Sequence, residues 1–224
     1  MLHMLTQRQN GMEAITMPKG SIELTNARKE EIIRACASLY ETMSFKDITM
    51  KEIGAVTSFT RTSIYTYFHT KEEIFLALFQ QEYEKWIADL DTLTAKHEAL
   101  TNDELAQELA RSLEKRALLL KLLSMNLYDM EENSRIERLV EFKTVYGNSI
   151  RAVDRLLEKF RPQMSPADRQ QFLYAFFLFV YGVYPYTVLT DKKKTAMELA
   201  GTNFVQMSAY EMIYTGVKRL LGAG

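Results

Sequence analysis

The fold is decided by one stretch of the chain, residues 49–72, which reads TMKEIGAVTSFTRTSIYTYFHTKE. Thr49 is followed three residues later by Glu52, a Thr-x-x-Glu capping box of the kind that starts a helix. This helix is predicted to end near Val56, and Thr60 is a second candidate N-cap after a short connection. Two short capped helices in this order predict a helix-turn-helix.

The second of these helices has one face suited to a core and one suited to DNA. Ile64 and Phe68 are four residues apart, so they can point inward together. Arg61 begins the opposite face with a planar guanidinium that can pair with the O6 and N7 of guanine; a surface or phosphate contact is the alternative. Hydroxyl groups for the same face come from Thr60, Thr62 and Ser63.

An apolar helix is predicted before this motif and a long helix after it. The first has a candidate N-cap at Thr25 or Asn26. Its apolar residues recur at spacings of three and four, namely Ile32, Ile33, Cys36, Leu39 and Tyr40. Thr70 is predicted to cap the second helix, residues 71–95, which would connect a small head to a larger body.

Composition predicts an all-α protein. The 224 residues include only 4 prolines and 9 glycines, and 47% are hydrophobic and 25% charged. The single cysteine excludes an intrachain disulfide and suits a reducing cytoplasm, where we expect the protein to be located. With a formal net charge of −1, any DNA binding must come from a local surface.

The chain divides into three predicted parts. Residues 1–24 show no sustained periodicity and no secretory signal, and they are interpreted as a flexible leader; a basic arm for a minor groove is the alternative. Residues 25–72 form the predicted DNA-binding head. Residues 73–224 form a helical body for effector binding and dimerisation.

The most apolar part of the body is residues 172–189, which contain no charge. This length approaches that of a membrane span, and the lysines at 192–194 could flank one. Four tyrosines, Gly182 and Pro185 make the stretch less hydrophobic than a typical membrane span. The preferred interpretation is therefore a helix buried by a partner subunit, with no membrane contact. One last helix over residues 195–221 is predicted to pack beside it.

No enzyme is predicted from the residues that carry chemistry. His3, His69 and His97 are widely spaced, and there is neither a phosphate-binding glycine loop nor a nucleophile elbow. No catalytic residue, metal ligand or cofactor is therefore expected. The alternatives to a regulator are a helical DNA-binding module without a ligand and a module that binds only protein.

With the helix-turn-helix placed, residues 28–74 resemble the TetR family of bacterial repressors. The residues that match its pattern are Phe45, Thr49, Ile53, Tyr65, Tyr67, Phe68, Lys71 and Glu72. The chain departs from the pattern at Ser44, Gly54 and Ser58, where the family usually has glycine, alanine and glycine. A serine held at a positive φ costs about 1 kcal/mol, so an altered angle between the two helices is expected.

The resemblance implies a repressor that binds double-stranded operator DNA and is released by a small molecule. It implies a homodimer through the last two long helices, here residues 165–189 and 195–221, with an effector pocket in each body. Phosphate contacts are implied for Tyr65, Tyr67, His69 and Lys71, and Thr49 is a further candidate. An inward-facing ring is the alternative for Tyr65.

An apolar or aromatic effector is expected, because the body is rich in aromatic and sulfur side chains. The candidate pocket residues are Tyr83, Trp86, Met125, Tyr128, Phe142, Tyr146, Tyr174, Phe177 and Tyr181. For each of them, core packing is the alternative.

Overall fold

A computed structural model describes residues 19–125, 127–202 and 205–222. Every regular element in these ranges is a helix, so the all-α prediction is confirmed. In chain order the helices are α1 (Lys19–Thr42), α2 (Met50–Ala55), α3 (Arg61–Ile64), α4 (Lys71–Lys96), α5 (Asn102–Glu114), α6 (Ala117–Leu123), α7 (Leu127–Glu132), α8 (Ile136–Phe160), α9 (Pro166–Thr187), α10 (Asp191–Leu199) and α11 (Ala209–Leu220).

The head is built from α1, α2 and α3 as the capping residues predict. Thr49, Thr60 and Thr70 have extended backbones, and each side chain accepts hydrogen bonds from amides in the next helix's first turn. Ile64 and Phe68 are buried, as expected from their spacing. The pair α2 and α3 is the predicted helix-turn-helix, with α1 packed against α2.

The start of α1 differs from the prediction. The helix already includes Lys19, so the N-cap predicted at Thr25 or Asn26 is wrong. The Thr25 hydroxyl donates to the Ser21 carbonyl at 2.8 Å, a bond that threonine makes inside a helix. Most of the proposed leader, residues 1–18, lies outside the described residues, whereas its last part is helical.

The two serines in the turns of the head introduce no strain. No non-glycine residue in the described ranges has a positive φ. The prediction that a serine in these turns is held at a positive φ is therefore wrong. The Ser58 amide donates to the Glu31 carboxylate at 2.6 Å, a bond that lowers the pKa of Glu31. The Ser44 hydroxyl donates to Asp47 at 2.5 Å. Hydrogen bonds from side chains therefore hold both turns.

Gly54 lies in α2 where it faces α3. A Cβ atom there would lie 3.5 Å from the Arg61 backbone and 3.6 Å from the Ile64 side chain, which is ordinary contact. Because glycine inside a helix is about 0.5–1 kcal/mol less favourable than alanine, we expect Gly54→Ala to raise the free energy of unfolding by that amount. Urea denaturation measures the change. A loss of stability would mean that α2 and α3 have no room for a methyl group.

The long helix α4 belongs to both parts of the chain, because its first two residues, Lys71 and Glu72, precede the proposed boundary at 72/73. It packs against α1 in the head and against α8 in the body, while α9 packs on α6 and α11. Aromatic rings fill the space between these helices. Phe79 stacks on Tyr83 with ring centroids 5.0 Å apart, and the ring centroids of Trp86 and Phe176 are 6.4 Å apart.

The apolar stretch at residues 172–189 forms most of α9 and is partly buried within its own chain. The inward side chains are Phe172, Phe176, Phe177, Val180 and Val183. The opposite side leaves an exposed line, called here the α9 stripe, made of Gln171, Tyr174, Leu178, Gly182 and Pro185. Among the described helices, none alone is long and apolar enough to cross a membrane; α9 and α10 pass only as a pair bent by 89°.

The prediction of a single helix over residues 195–221 is wrong, because this range contains two helices separated by an interruption. Gly201 adopts a φ of 62° just after α10, and Ser208 starts α11 with a capping box that includes Glu211. A left-handed glycine commonly ends a helix, which explains the interruption.

Candidate DNA interface and ligand cavity

The predicted base-reading residues lie together on the first turn of α3. The Thr60 hydroxyl accepts the Ser63 amide at 3.3 Å and lies 3.0 Å from the Ser63 hydroxyl. Arg61 and Thr62 are exposed beside them. In helix-turn-helix proteins, this end of the second helix meets the base edges of the major groove.

Arg61 is oriented by Tyr65. Its guanidinium donates to the Tyr65 hydroxyl at 3.2 Å and lies 5.7 Å from the centre of the ring. Tyr65 is 38% exposed, so the inward-facing alternative is wrong. The contact limits the freedom of the arginine side chain while leaving further N–H groups to bind a base.

Tyr67 is held by α1. Arg28 donates to the Tyr67 hydroxyl at 3.0 Å and lies 5.8 Å from the centre of the Phe59 ring. This pair puts a cation and a phenol hydroxyl close to α3. Sequence reasoning missed Arg28, because it is 39 residues from its partner and belongs to no local motif.

Thr49 and His69 lie next to helix starts. The Thr49 hydroxyl accepts the Lys51 amide at 3.2 Å and bonds to the Glu52 carboxylate. His69 is exposed, and its amide donates to Glu73 at 2.8 Å. The backbone at both positions is therefore fixed by its neighbours.

Lys71, a predicted phosphate contact, also holds the loop before α2. Its ammonium donates to the carbonyls of Phe45 at 2.7 Å and Ile48 at 3.0 Å, and it lies 4.2 Å from the centre of the Phe45 ring. Two of its three donors thus satisfy the loop between α1 and α2. These contacts give Lys71 a positioning role, and with a third donor left over its phosphate contact stays a prediction.

The head has no excess of positive charge, yet several of its carboxylates face away from α3. Residues 28–74 contain seven Lys or Arg and seven Asp or Glu. Glu30 accepts from Gln81 of α4, and Glu73 is fully buried. Binding of phosphates would therefore depend on local cations such as Arg28.

Glu73 connects the head to the body through Arg135. The buried carboxylate accepts two bonds from the Arg135 guanidinium at 2.6 and 2.7 Å, and one each from the amides of Arg135 and His69 at 3.2 and 2.8 Å. Burial alone would raise the pKa of Glu73, but these donors lower it to about 2. The carboxylate is therefore ionised at neutral pH.

Two more contacts join the same regions. The Thr70 hydroxyl donates to the Asn133 carbonyl at 2.9 Å. Arg138 lies 5.6 Å from the centre of the Phe68 ring. Together with Glu73 and Arg135, these residues form the head–body link, which ties the turn before α4 to the start of α8.

A cavity of about 300 Å³ lies between α8 and α9. The residues that line it are Tyr146, Ile150, Gln170, Leu173, Tyr174, Phe177, Leu178 and Tyr181. Four predicted pocket residues, Tyr146, Tyr174, Phe177 and Tyr181, are therefore brought together. The other four follow the helical spacing of α8 and α9, a signal that is visible only once these two helices are known to be neighbours.

The remaining predicted pocket residues do not line the cavity. Tyr83, Trp86 and Phe142 are buried, and the Trp86 ring lies 6.1 Å from that of Phe177, which lines the cavity. Met125 packs on the core, and Tyr128 is 84% exposed. Both lie close to the break between α6 and α7, away from the cavity walls. In the described ranges, no group of three or more His, Cys, Asp or Glu side chains could hold a metal ion.

A helix-turn-helix head joined by a long helix to an all-helical body is the architecture of a DNA-binding regulator. Residues 32–78 match the family described as bacterial regulatory proteins, tetR family, and residues 80–212 match the tetracyclin repressor-like C-terminal domain. The second match alone covers more than half of the chain. The protein therefore belongs to the TetR family of transcriptional regulators.

Solved structures share this fold at low identity. The fatty acid degradation regulator FadR of Bacillus halodurans is 15% identical, with a TM-score of 0.58 over 88% of this chain and 95% of that chain. Thermus thermophilus FadR, a repressor solved with lauroyl-CoA, is 18% identical, with a TM-score of 0.56 over 87% and 93%. The HTH-type transcriptional regulator YfiR of Bacillus subtilis is 28% identical over 83 residues, 37% of this chain, and the match spans only 40% of YfiR.

Proposed function

We propose that the protein is a homodimeric repressor that binds operator DNA through α2 and α3 and leaves it when a small apolar or aromatic ligand occupies the α8–α9 cavity. The observation that supports DNA binding most strongly is the capped first turn of α3, where Arg61 is exposed and oriented by Tyr65. A merely solvated helix would not need this arrangement of a guanidinium among hydroxyl groups.

Each residue of the head has a proposed role. Arg61 reads a guanine, and the hydroxyls of Thr60, Thr62 and Ser63 supply further contacts in the same groove. Phosphate contacts are assigned to Thr49, Tyr65, Tyr67 and His69, which carry no sequence information by themselves. Arg28 joins this second group through its bond to Tyr67.

The operator is expected to be an inverted repeat, because a two-fold dimer presents two identical heads. Heads about 34–36 Å apart enter successive major grooves, which corresponds to half-sites about 10–10.5 base pairs apart or multiples of that spacing. Selection of bound duplexes from a random pool tests this expectation. A pool that converges on no repeated half-site would contradict a dimeric, sequence-reading function.

The α9 stripe supports dimerisation through a second copy of the chain. Tyr174 is 65% exposed and Leu178 is 75% exposed, four residues apart on the same side of α9, and both also line the outer side of the cavity, which a partner subunit would cover. Gly182 has open space around its missing Cβ, so another helix can approach closely there. A groove beside the stripe includes Leu220 of α11, which supports the pairing of α9 with the C-terminal helix.

We expect Leu178→Glu to convert the dimer into monomers, because two carboxylates would face each other across an apolar contact. Light scattering should give twice 26.0 kDa for the unmodified protein and 26.0 kDa for the variant. Val140→Glu is the matched control, since Val140 is also exposed, at 58%, but lies on α8. A mass of 26.0 kDa for the unmodified protein would remove the dimer proposal.

Release from DNA follows from the position of α8. This helix supplies Tyr146 and Ile150 to the cavity, and Arg135 and Arg138 of the head–body link lie at its start. A ligand that shifts α8 would therefore move the turn before α4 and change the spacing of the heads. It shifts this equilibrium only by its difference in affinity for the two spacings. The lauroyl-CoA complex of a repressor with this fold supports a ligand-responsive body in general terms.

A further inference from the structure

We propose that the cavity selects a compact, uncharged ligand with an apolar body and one hydrogen-bonding group, a substituted phenol being the simplest case, through the hydroxyls of Tyr146 and Tyr181. This proposal rests on the cavity being the effector site and adds the chemistry of the effector.

The walls of the cavity determine the body of the ligand. None of its lining residues is charged, and Gln170 is the only one with an amide side chain. A volume of about 300 Å³ is at the lower end for small-molecule sites. The cavity therefore fits a single ring with a short substituent better than a long chain with a charged carrier.

A cluster of phenol groups determines the polar end of the ligand. Tyr146 and Tyr181 line the cavity, and the Tyr83 ring lies 5.9 Å from that of Tyr146. The Tyr83 hydroxyl is buried behind this wall, where it interacts with the Tyr181 hydroxyl. The hydroxyls of Tyr146 and Tyr181 are therefore the polar groups on this side of the cavity, and a ligand atom that hydrogen-bonds to them gains from a neutral partner.

These hydroxyls stay protonated and act as neutral partners. Burial raises the pKa of Tyr181 to about 12, and burial together with the nearby Tyr181 raises that of Tyr83 well above its usual value. Lys143, a cation close enough to influence Tyr146, is paired with Glu131 at 2.5 Å. A ligand carboxylate would therefore enter without a free counter-charge, which is strongly unfavourable.

The test compares ligands that differ in one group. 4-Ethylphenol, ethylbenzene and 4-ethylbenzoate have the same body with a hydroxyl, a hydrogen and a carboxylate, and lauroyl-CoA represents a large charged ligand. Isothermal titration calorimetry gives the affinities, and the emission of Trp86, the single tryptophan, is a second readout beside the cavity. We expect 4-ethylphenol to bind best.

Variants assign the preference to the cluster. Tyr146→Phe and Tyr181→Phe should each weaken the binding of 4-ethylphenol about three- to tenfold, the range for one neutral hydrogen bond. Ethylbenzene should bind both variants as well as it binds the unmodified protein. Tyr210→Phe is the control, because Tyr210 stacks on Tyr214 of α11 and does not line the cavity.

The proposal fails if ethylbenzene or 4-ethylbenzoate binds as tightly as 4-ethylphenol, if lauroyl-CoA is preferred, or if neither tyrosine variant alters the preference. Binding of 4-ethylphenol through the two tyrosines without release of DNA would support the ligand class and contradict the induction mechanism. The two proposals can therefore fail separately.

Discussion

Glu73→Gln is expected to lower the free energy of unfolding by about 3 kcal/mol at neutral pH. The carboxylate is fully buried, and its pKa is lowered from 4.5 to about 2 in the folded protein. Burial opposes this shift, but the Arg135 fork and the amides of His69 and Arg135 outweigh it. Glutamine keeps the shape, but it loses the charge and turns an amide group towards these donors.

The effect has a defined dependence on pH. A carboxylate whose pKa is lower in the folded state stabilises the fold above its unfolded pKa, and the stabilisation is lost as protons bind. The difference between the unmodified protein and the variant should therefore be complete at pH 7. It should shrink as the pH falls from about 4.5 towards about 2. Subtracting the free energy of unfolding of the variant from that of the unmodified protein cancels the contributions of the other carboxylates.

Glu141→Gln is the matched control for Glu73→Gln. Glu141 forms an ion pair with Arg138 at 2.7 Å, but its side chain is 49% exposed. Exposed pairs of this kind contribute about 0–1 kcal/mol, so urea denaturation should show a small change without the same dependence on pH. Equal effects of the two substitutions would contradict the structural role of the head–body link.

Arg61→Ala is expected to weaken operator binding by about 1–3 kcal/mol per half-site and to relax the preference at one symmetric position. The guanidinium is exposed at the start of α3 and oriented by Tyr65 at 3.2 Å. Because bidentate pairing to guanine is specific, scrambled DNA should be affected much less. Competition titrations on operator and scrambled duplexes measure the difference.

Tyr67→Phe separates backbone contact from base reading. It removes only the hydroxyl that Arg28 contacts at 3.0 Å, so it should weaken both duplexes alike. Thermal unfolding of both variants should be nearly unchanged, since Arg61 is exposed and phenylalanine keeps the ring of Tyr67 that packs against the core. If Arg61→Ala reduced affinity for both duplexes equally, Arg61 would be a phosphate contact and its assignment to base reading would be wrong.

Local chemistry made the head predictable from sequence. A threonine cap acts within three residues, so Thr49, Thr60 and Thr70 could be placed without knowledge of the fold. The orientation of Tyr65 was left open, because a ring at a helix end can turn inward or outward. The positioning role of Lys71 was missed, because the carbonyls to which it donates lie 26 and 23 residues earlier.

Long-range geometry limited the prediction of the body. Aromatic composition identified Tyr146, Tyr174, Phe177 and Tyr181, but it could not separate the cavity wall from the core behind it. Arg135 was missed because its partner Glu73 is 62 residues away.

Fluorescence anisotropy on a labelled operator duplex tests sequence-specific DNA binding most directly. At physiological salt, we expect the operator to be bound at least about a thousandfold more tightly than a scrambled duplex of the same length, as is typical of specific DNA-binding proteins. Equal affinity for the two duplexes, in a sample that is folded and dimeric, would contradict the function proposed for α3.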